Sequence, residues 1–214
     1  KIMNKKSQEF LTKYLNNASP TGFEASGQQI WLDYIKPYTD SYFTDKYGTA
    51  VGVINPDAPF KVVIEAHADE ISWFVNYIDD NGYIYVVRNG GSDHQIAPSK
   101  RVNIHTEKGI VKGVFGWPAI HVRDKASEKA PSLRNIFIDV GAESKQEVLD
   151  MGVHVGTVIT FDDEVFKLNK KFWCGRARSS EKASRRRQET SIWPLCGQFG
   201  TRRNWFAWCR DDCR

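Results

Sequence analysis

Four consecutive residues, His67-Ala68-Asp69-Glu70, bring together an imidazole and two carboxylates, the side chains that hold divalent metals and move protons. They follow the apolar run Lys61-Val62-Val63-Ile64-Glu65-Ala66, which predicts a buried strand that stops where the histidine begins. In open α/β sheets, ligands bind in the crevice beyond the carboxyl ends of the strands, so a His-x-Asp emerging there can serve a metallohydrolase centre. Residues two apart on an extended segment face the same way. His67 can therefore ligate a metal while Asp69 hydrogen-bonds and orients the same constellation. The tetrapeptide alone fits equally well a histidine that caps a strand and an aspartate that opens a turn.

The elements that would have to position these residues come from a chain of 214 residues, 41% hydrophobic and 13% aromatic, enough for one domain plus an insertion. No apolar stretch approaches the roughly 20 residues needed to cross a bilayer. The polar start, Lys1 to Lys6, has no signal-type apolar core behind it, so a cytoplasmic, soluble protein is expected. The net charge of +4 is unevenly spread: up to Ala177 there are 21 basic and 22 acidic side chains, and after it 9 and 4. Cysteine divides in the same way, with Cys174 alone before the break and Cys196, Cys209 and Cys213 after it. That distribution speaks against a disulfide framework, and a tail without histidine or C-x-x-C makes a poor zinc knot.

Phe10, Leu11, Tyr14 and Leu15 lie at helical spacing within 4–17. Thr21-x-x-Glu24 reads as a capping box before a second helix carrying Ile30, Trp31, Tyr34 and Ile35. Strand-like runs follow at Ser41–Tyr47, Thr49–Ile54 and Lys61–Ala66, an α/β beginning. From Ile71 the pattern changes to closely spaced strands at Ile71–Ile78, Tyr83–Arg88, Arg101–His105, Ile110–Phe115 and Ile136–Asp139, separated by turns such as 79–82 and 89–91. A helix-like segment at Glu143–Met151 precedes another strand-like run at Thr157–Phe161. The expectation is an α/β domain over 1–70, a β-rich insert over 71–165, and a return to the first domain over 166–177.

The strings SPTGFE (19–24), DKYGTAVGVI (45–54), AHADEISWFVNYIDDNGYIYVVRNGG (66–91), FIDVGAESKQEV (137–148) and FWCGRA (172–177) together resemble the tetrahedral-aminopeptidase family. Its members include glutamyl and leucyl aminopeptidases and proteins once labelled endoglucanase M. The resemblance covers residues 1–177. It implies an α/β/α metallopeptidase-like domain interrupted by a small barrel- or PDZ-like domain used for self-association. It also implies two divalent metals per site, zinc or cobalt, acting on peptide substrates. By the same resemblance His67 binds one metal, Asp69 orients it, and His121, in Pro118-Ala119-Ile120-His121, lies in a loop that could contact substrate at the active site of a neighbouring subunit. His94, His105 and His154 read instead as surface or satisfied polar positions.

After Gly175-Arg176-Ala177 the family pattern expects a Leu-Asp-Asn-Arg-like motif with a bridging aspartate, then a Glu-Glu pair, a further aspartate and a late histidine. The chain has Arg178-Ser179-Ser180, and all five histidines precede the break. Lysine outnumbers arginine 16 to 5 up to Ala177 but stands 1 to 8 after it. Reading permitted codons for Ser191 onward from their second base spells PFGLYVVNSVQEEIGLRGA, in which the codons of Thr201, Arg202 and Arg203 yield Gln-Glu-Glu. The same operation on Ala177–Glu181 yields Leu-Asp-His-Arg, whereas 182–190 has no clean register. Residues 178–214 are therefore expected to be an out-of-frame tail. With one metal ligand left, the chain is expected to be an inactive fragment, because catalytic metals take about three protein ligands each. A non-catalytic assembly module is the alternative. The frame change explains Arg185-Arg186-Arg187 and the nearby tryptophans better than a nucleic-acid surface does.

Overall fold

The structure, a computed structural model, describes residues 4–123, 130–168 and 171–174. The tail 178–214 and residues 175–177 lie outside the described residues. The described residues form two compact units, one spanning Glu70–Glu164 and the other formed by the residues on either side of it.

The outer unit opens with helix α1, Lys5–Asn16, capped by Asn4, whose side chain accepts from the Ser7 amide at 2.8 Å. Helix α2, Ala25–Ile35, packs on it through a stacked Phe10–Tyr34 pair with ring centroids 3.9 Å apart and a Ser7–Tyr34 hydroxyl bond of 2.9 Å. The aromatic positions read at helical spacing thus meet across the helix pair. A short antiparallel hairpin follows, β1 at Ser41–Thr44 and β2 at Ala50–Val53. Its turn is held by Asp45, whose carboxylate accepts from the amides of Tyr47 and Thr49 at 2.8 and 2.9 Å, with Gly48 at φ +84°. These bonds, that from Thr49 foremost, hold the Asp45 carboxyl below the usual carboxylate range.

Lys61–Ala66 departs from expectation. It forms no regular strand, and Val62, Val63 and Ile64 are 65%, 59% and 55% exposed. A strand is stabilised by its ladder and cross-strand neighbours rather than by its own propensity. Among the described residues, no strand pairs with this one.

The inner unit is a closed six-stranded barrel. Its strands are β3 (Ser72–Ile78), β4 (Ile84–Asn89), β5 (Arg101–Thr106), β6 (Gly109–Gly116), β7 (Phe137–Asp139) and β8 (Val158–Phe161), in the order β3-β4-β7-β6-β5-β8. Every pairing is antiparallel, and β8 returns to β3 to close the ring. The alternation within β3 sends Trp73 and Val75 inward. A bulge between Val75 and Tyr77 then resets the phase, so that Asn76 and Tyr77 both face out and Ile78 faces in. Helix α3, Lys145–Asp150, capped by Ser144, contributes the fully buried Val148 to the same core as Ile84, Ile104, Ile138 and Ile159. The fold is thus mixed α/β, with few helices and a closed barrel. The outer unit resumes after the barrel with a further antiparallel hairpin, β9 (Val165–Leu168) and β10 (Lys171–Cys174).

Two predictions follow from the barrel. Trp73 is fully buried, edge-on to Phe115 and Phe161 at 5.3 and 6.3 Å, and its indole N–H has no hydrogen-bond acceptor among the described residues. Trp73→Ala should cost about 3–5 kcal/mol of barrel stability, and Trp73→Phe clearly less because no hydrogen bond is lost. Denaturant unfolding followed by near-ultraviolet circular dichroism would check the order. On the barrel surface, Lys112 donates to Asp162 at 2.9 Å and to Asn103 at 2.7 Å. The lysine bond, with help from Asn103, holds the Asp162 carboxyl below its ordinary range. Such a group stabilises the fold above its unfolded pKa, and the contribution disappears as pH falls through the lowered folded value. The stability difference between Lys112→Met and the parent should therefore be present at neutral pH and close below about pH 4.

Candidate functional site

The segment that carries His67 is held by its own side chains. His67 Nδ1 lies 2.9 Å from Asp69 Oδ1 and 3.0 Å from the Asp69 carbonyl oxygen. A carbonyl oxygen and an ionised carboxylate can only accept, so Nδ1 carries the proton and donates to both. In the neutral ring this puts the lone pair on Nε2, the tautomer a metal-ligating histidine needs. Both side chains keep about a third of their surface exposed, 37% for His67 and 35% for Asp69.

The second carboxylate oxygen is also engaged. Thr21 Oγ1 donates to Asp69 Oδ2 at 2.6 Å, a contact made across 48 residues of sequence. This corrects the capping-box reading of Thr21-x-x-Glu24. Glu24, in helical conformation, itself occupies the cap position of α2 and makes no side-chain cap bond; its carboxylate accepts instead from the Gly22 amide at 2.7 Å. The hydroxyl goes to Asp69 because the loop between α1 and α2 turns before the helix starts. Phe23 N donates to Pro20 O at 2.8 Å, and Gly22, at the third position of this turn, has φ +91°. A positive φ there is what a type II turn requires, and Pro-x-Gly was the signal in the sequence.

Tyr14 on α1 is the other group near Asp69. Burial first, and the Asp69 carboxylate second, push its phenol above the ordinary tyrosine range. Local sequence pattern marks neither Thr21 nor Tyr14 as a site residue, because both lie far from Asp69 along the chain.

The other four histidines lie in the barrel unit. His121 is exposed on a short 3-10 turn, Ile120–Val122, in the barrel unit. The loop around it is tied locally, with Arg123 Nε donating to Pro118 O at 2.7 Å and the guanidinium 3.7 Å from the Trp117 ring centre. His105 bonds the Thr160 hydroxyl at 2.9 Å, His154 Nδ1 donates to the Val155 carbonyl at 2.9 Å, and Arg88 donates to Nδ1 of His94. Glu70 begins the barrel unit. Among the described residues, no group of three His, Cys, Asp or Glu side chains could hold a metal ion. In tautomer and donor chemistry His67 fits one corner of a metal site; the described residues do not supply the rest. No helix among them is long and apolar enough to cross a membrane.

In the chain, a closed barrel follows the His-x-Asp segment. The chain matches the M42 glutamyl aminopeptidase family over residues 48–178 and belongs to that family. It is 32% identical over 165 residues to lysyl aminopeptidase from Pyrococcus furiosus, an alignment covering 76% of this chain and 47% of that protein. Its fold is similar to that of a TET aminopeptidase from a marine sediment thaumarchaeon, with TM-score 0.65, 27% identity, and 76% and 46% of the two chains covered. It is also similar to Pyrococcus horikoshii TET1 peptidase, with TM-score 0.62, 27% identity, and 76% and 48% covered; that protein can assemble into a tetrahedron or a large octahedral shell. The chain spans about half the length of the relatives it matches.

Gly22→Ala should test how the loop is set. A Cβ at Gly22 would meet no atom within 4 Å, so the cost is conformational, about 1–2 kcal/mol. Thermal unfolding monitored by far-ultraviolet circular dichroism would read it as a lower midpoint for the helical unit.

Proposed function

We propose that the first 177 residues are the start of a metal-dependent aminopeptidase that removes N-terminal residues from peptides. The observation that carries this reading is the His67–Asp69 pair, with Nδ1 donating to Asp69 and the lone pair on Nε2, inside a stretch that matches the family. In this reading His67 is a metal ligand, Asp69 orients it, and His121 contacts substrate at the active site of a neighbouring subunit. Zinc or cobalt, two ions per site, would polarise the scissile carbonyl and acidify a bound water. Residues 1–70 and 166–177 belong to an α/β/α domain, and the barrel, 71–165, is a PDZ-like insert through which copies associate. A reducing, cytoplasmic location agrees with a single cysteine, Cys174, in the first 177 residues.

The tail 178–214 belongs to the same proposal as an out-of-frame product. It contains no Glu-Glu pair and no histidine, so the chain as written is inactive. A specific observation favours a second role for it: the barrel has a closed ring of strands and a complete buried core, as an assembly module needs.

Sequencing the DNA across codons 170–214 should find PFGLYVVNSVQEEIGLRGA in the second-base frame; a trace without it would overturn the account of the tail and return the Arg- and Trp-rich segment to consideration as a functional one. The repaired gene product should release N-terminal residues from peptides, lose that activity to a chelator, and regain it with zinc or cobalt. His67→Ala in that protein should lower activity by more than about 100-fold, beyond what loss of an outer partner does. A repaired, metal-loaded protein that hydrolyses no peptide would overturn the assignment.

A further inference from the structure

We propose that Thr21 is a positioning residue of this site, acting on His67 through Asp69. The Asp69 carboxylate has two oxygens with different tasks: Oδ1 accepts from His67 Nδ1 at 2.9 Å, and Oδ2 accepts from Thr21 Oγ1 at 2.6 Å. A carboxylate bonded through one oxygen can rotate about its Cβ–Cγ bond, whereas one held at both is fixed in plane. Thr21 thereby sets the direction in which Oδ1 meets the imidazole, and with it the direction of the Nε2 lone pair.

The loop that presents Thr21 is built to hold it. Gly22 at φ +91° and the Phe23–Pro20 hydrogen bond fix the turn on one side of the hydroxyl. On the other, Asn17 Nδ2 donates to the Ala18 carbonyl at 3.0 Å, to Ser19 Oγ at 3.0 Å and to Ser26 Oγ at 2.9 Å, tying the loop to the first turn of α2. Ser19 is buried, and Gly27 leaves it room, since a Cβ at Gly27 would lie 2.3 Å from Ser19 Oγ. The position of one hydroxyl is therefore decided by a turn, a side-chain network and a helix start. The cap position of α2 belongs to Glu24.

The proposal rests on His67 being the ligand, but its test does not require a metal or peptidase activity. In the 15N-labelled full chain, above the imidazole's ordinary pKa of about 6.5, the His67 Nδ1–H is read directly by its proton resonance and its exchange with water. In the parent the proton is expected downfield and protected, as a charge-assisted bond makes it. Thr21→Val removes the hydroxyl while keeping the shape; exchange should quicken at least about threefold and the resonance move upfield, the order of a weakened hydrogen bond. Thr21→Ser should restore both. An unchanged Nδ1–H in Thr21→Val, or a Thr21→Ser that fails to restore it, would overturn the proposal. Ring-current shifts of the Phe10–Tyr34 stack report whether the helix pair is intact. If Thr21→Val disturbs them, Thr21→Ala is compared instead, and disturbance by both would make Thr21 a folding residue and overturn the positioning role. Loss of the proposed peptidase function in the repaired protein would leave this result standing.

Discussion

The strand Val158–Phe161 lies between β3 and β5, and all four of its residues are buried. It is the last strand of the inner unit and pairs with the first, so its two ladders turn an open antiparallel sheet into a ring without edges. Closure satisfies backbone groups that would otherwise present two templates for aggregation. It also encloses the side chains of Trp73, Phe115 and Phe161, which make the aromatic centre of the core. The bulge in β3 belongs to the same constraint, because a closed ring needs local twist and a phase change that a uniform strand does not supply.

The outer unit shows what happens when that requirement is unmet. Val62, Val63 and Ile64 have the composition of a strand covered on both faces, yet they stand exposed where no described strand can pair with them. The candidate site therefore is not positioned by a sheet, as the sequence pattern had suggested. It is positioned by hydrogen bonds: two from the imidazole to its own neighbour, and one from a loop 48 residues away. Two acceptors of Asp69 at Nδ1 decide the tautomer without any need for burial.

Membership of the M42 glutamyl aminopeptidase family and a shared fold with TET peptidases agree with this arrangement of a His-x-Asp segment followed by a barrel. The two units are held differently: the barrel by a core in which Ile84, Ile104, Ile138 and Ile159 are fully buried, and the His67–Asp69 pair by side-chain hydrogen bonds.

Much was legible from local pattern alone. Helical spacing of Phe10, Leu11, Tyr14 and Leu15, the closely spaced strand-like runs of the barrel, and the turn residues Asp79 to Gly82 each mark structure set by near neighbours, and each formed as expected. His67 and Asp69 were legible too, since two residues of separation suffice for them to meet. What tertiary structure decided were the contacts between distant segments: that β8 closes onto β3, that Thr21 serves Asp69 instead of capping a helix, and that Lys61–Ala66 has no ladder. Local sequence determines which conformations a segment prefers. Whether a hydroxyl or a backbone edge finds its partner depends on where the rest of the chain brings that partner.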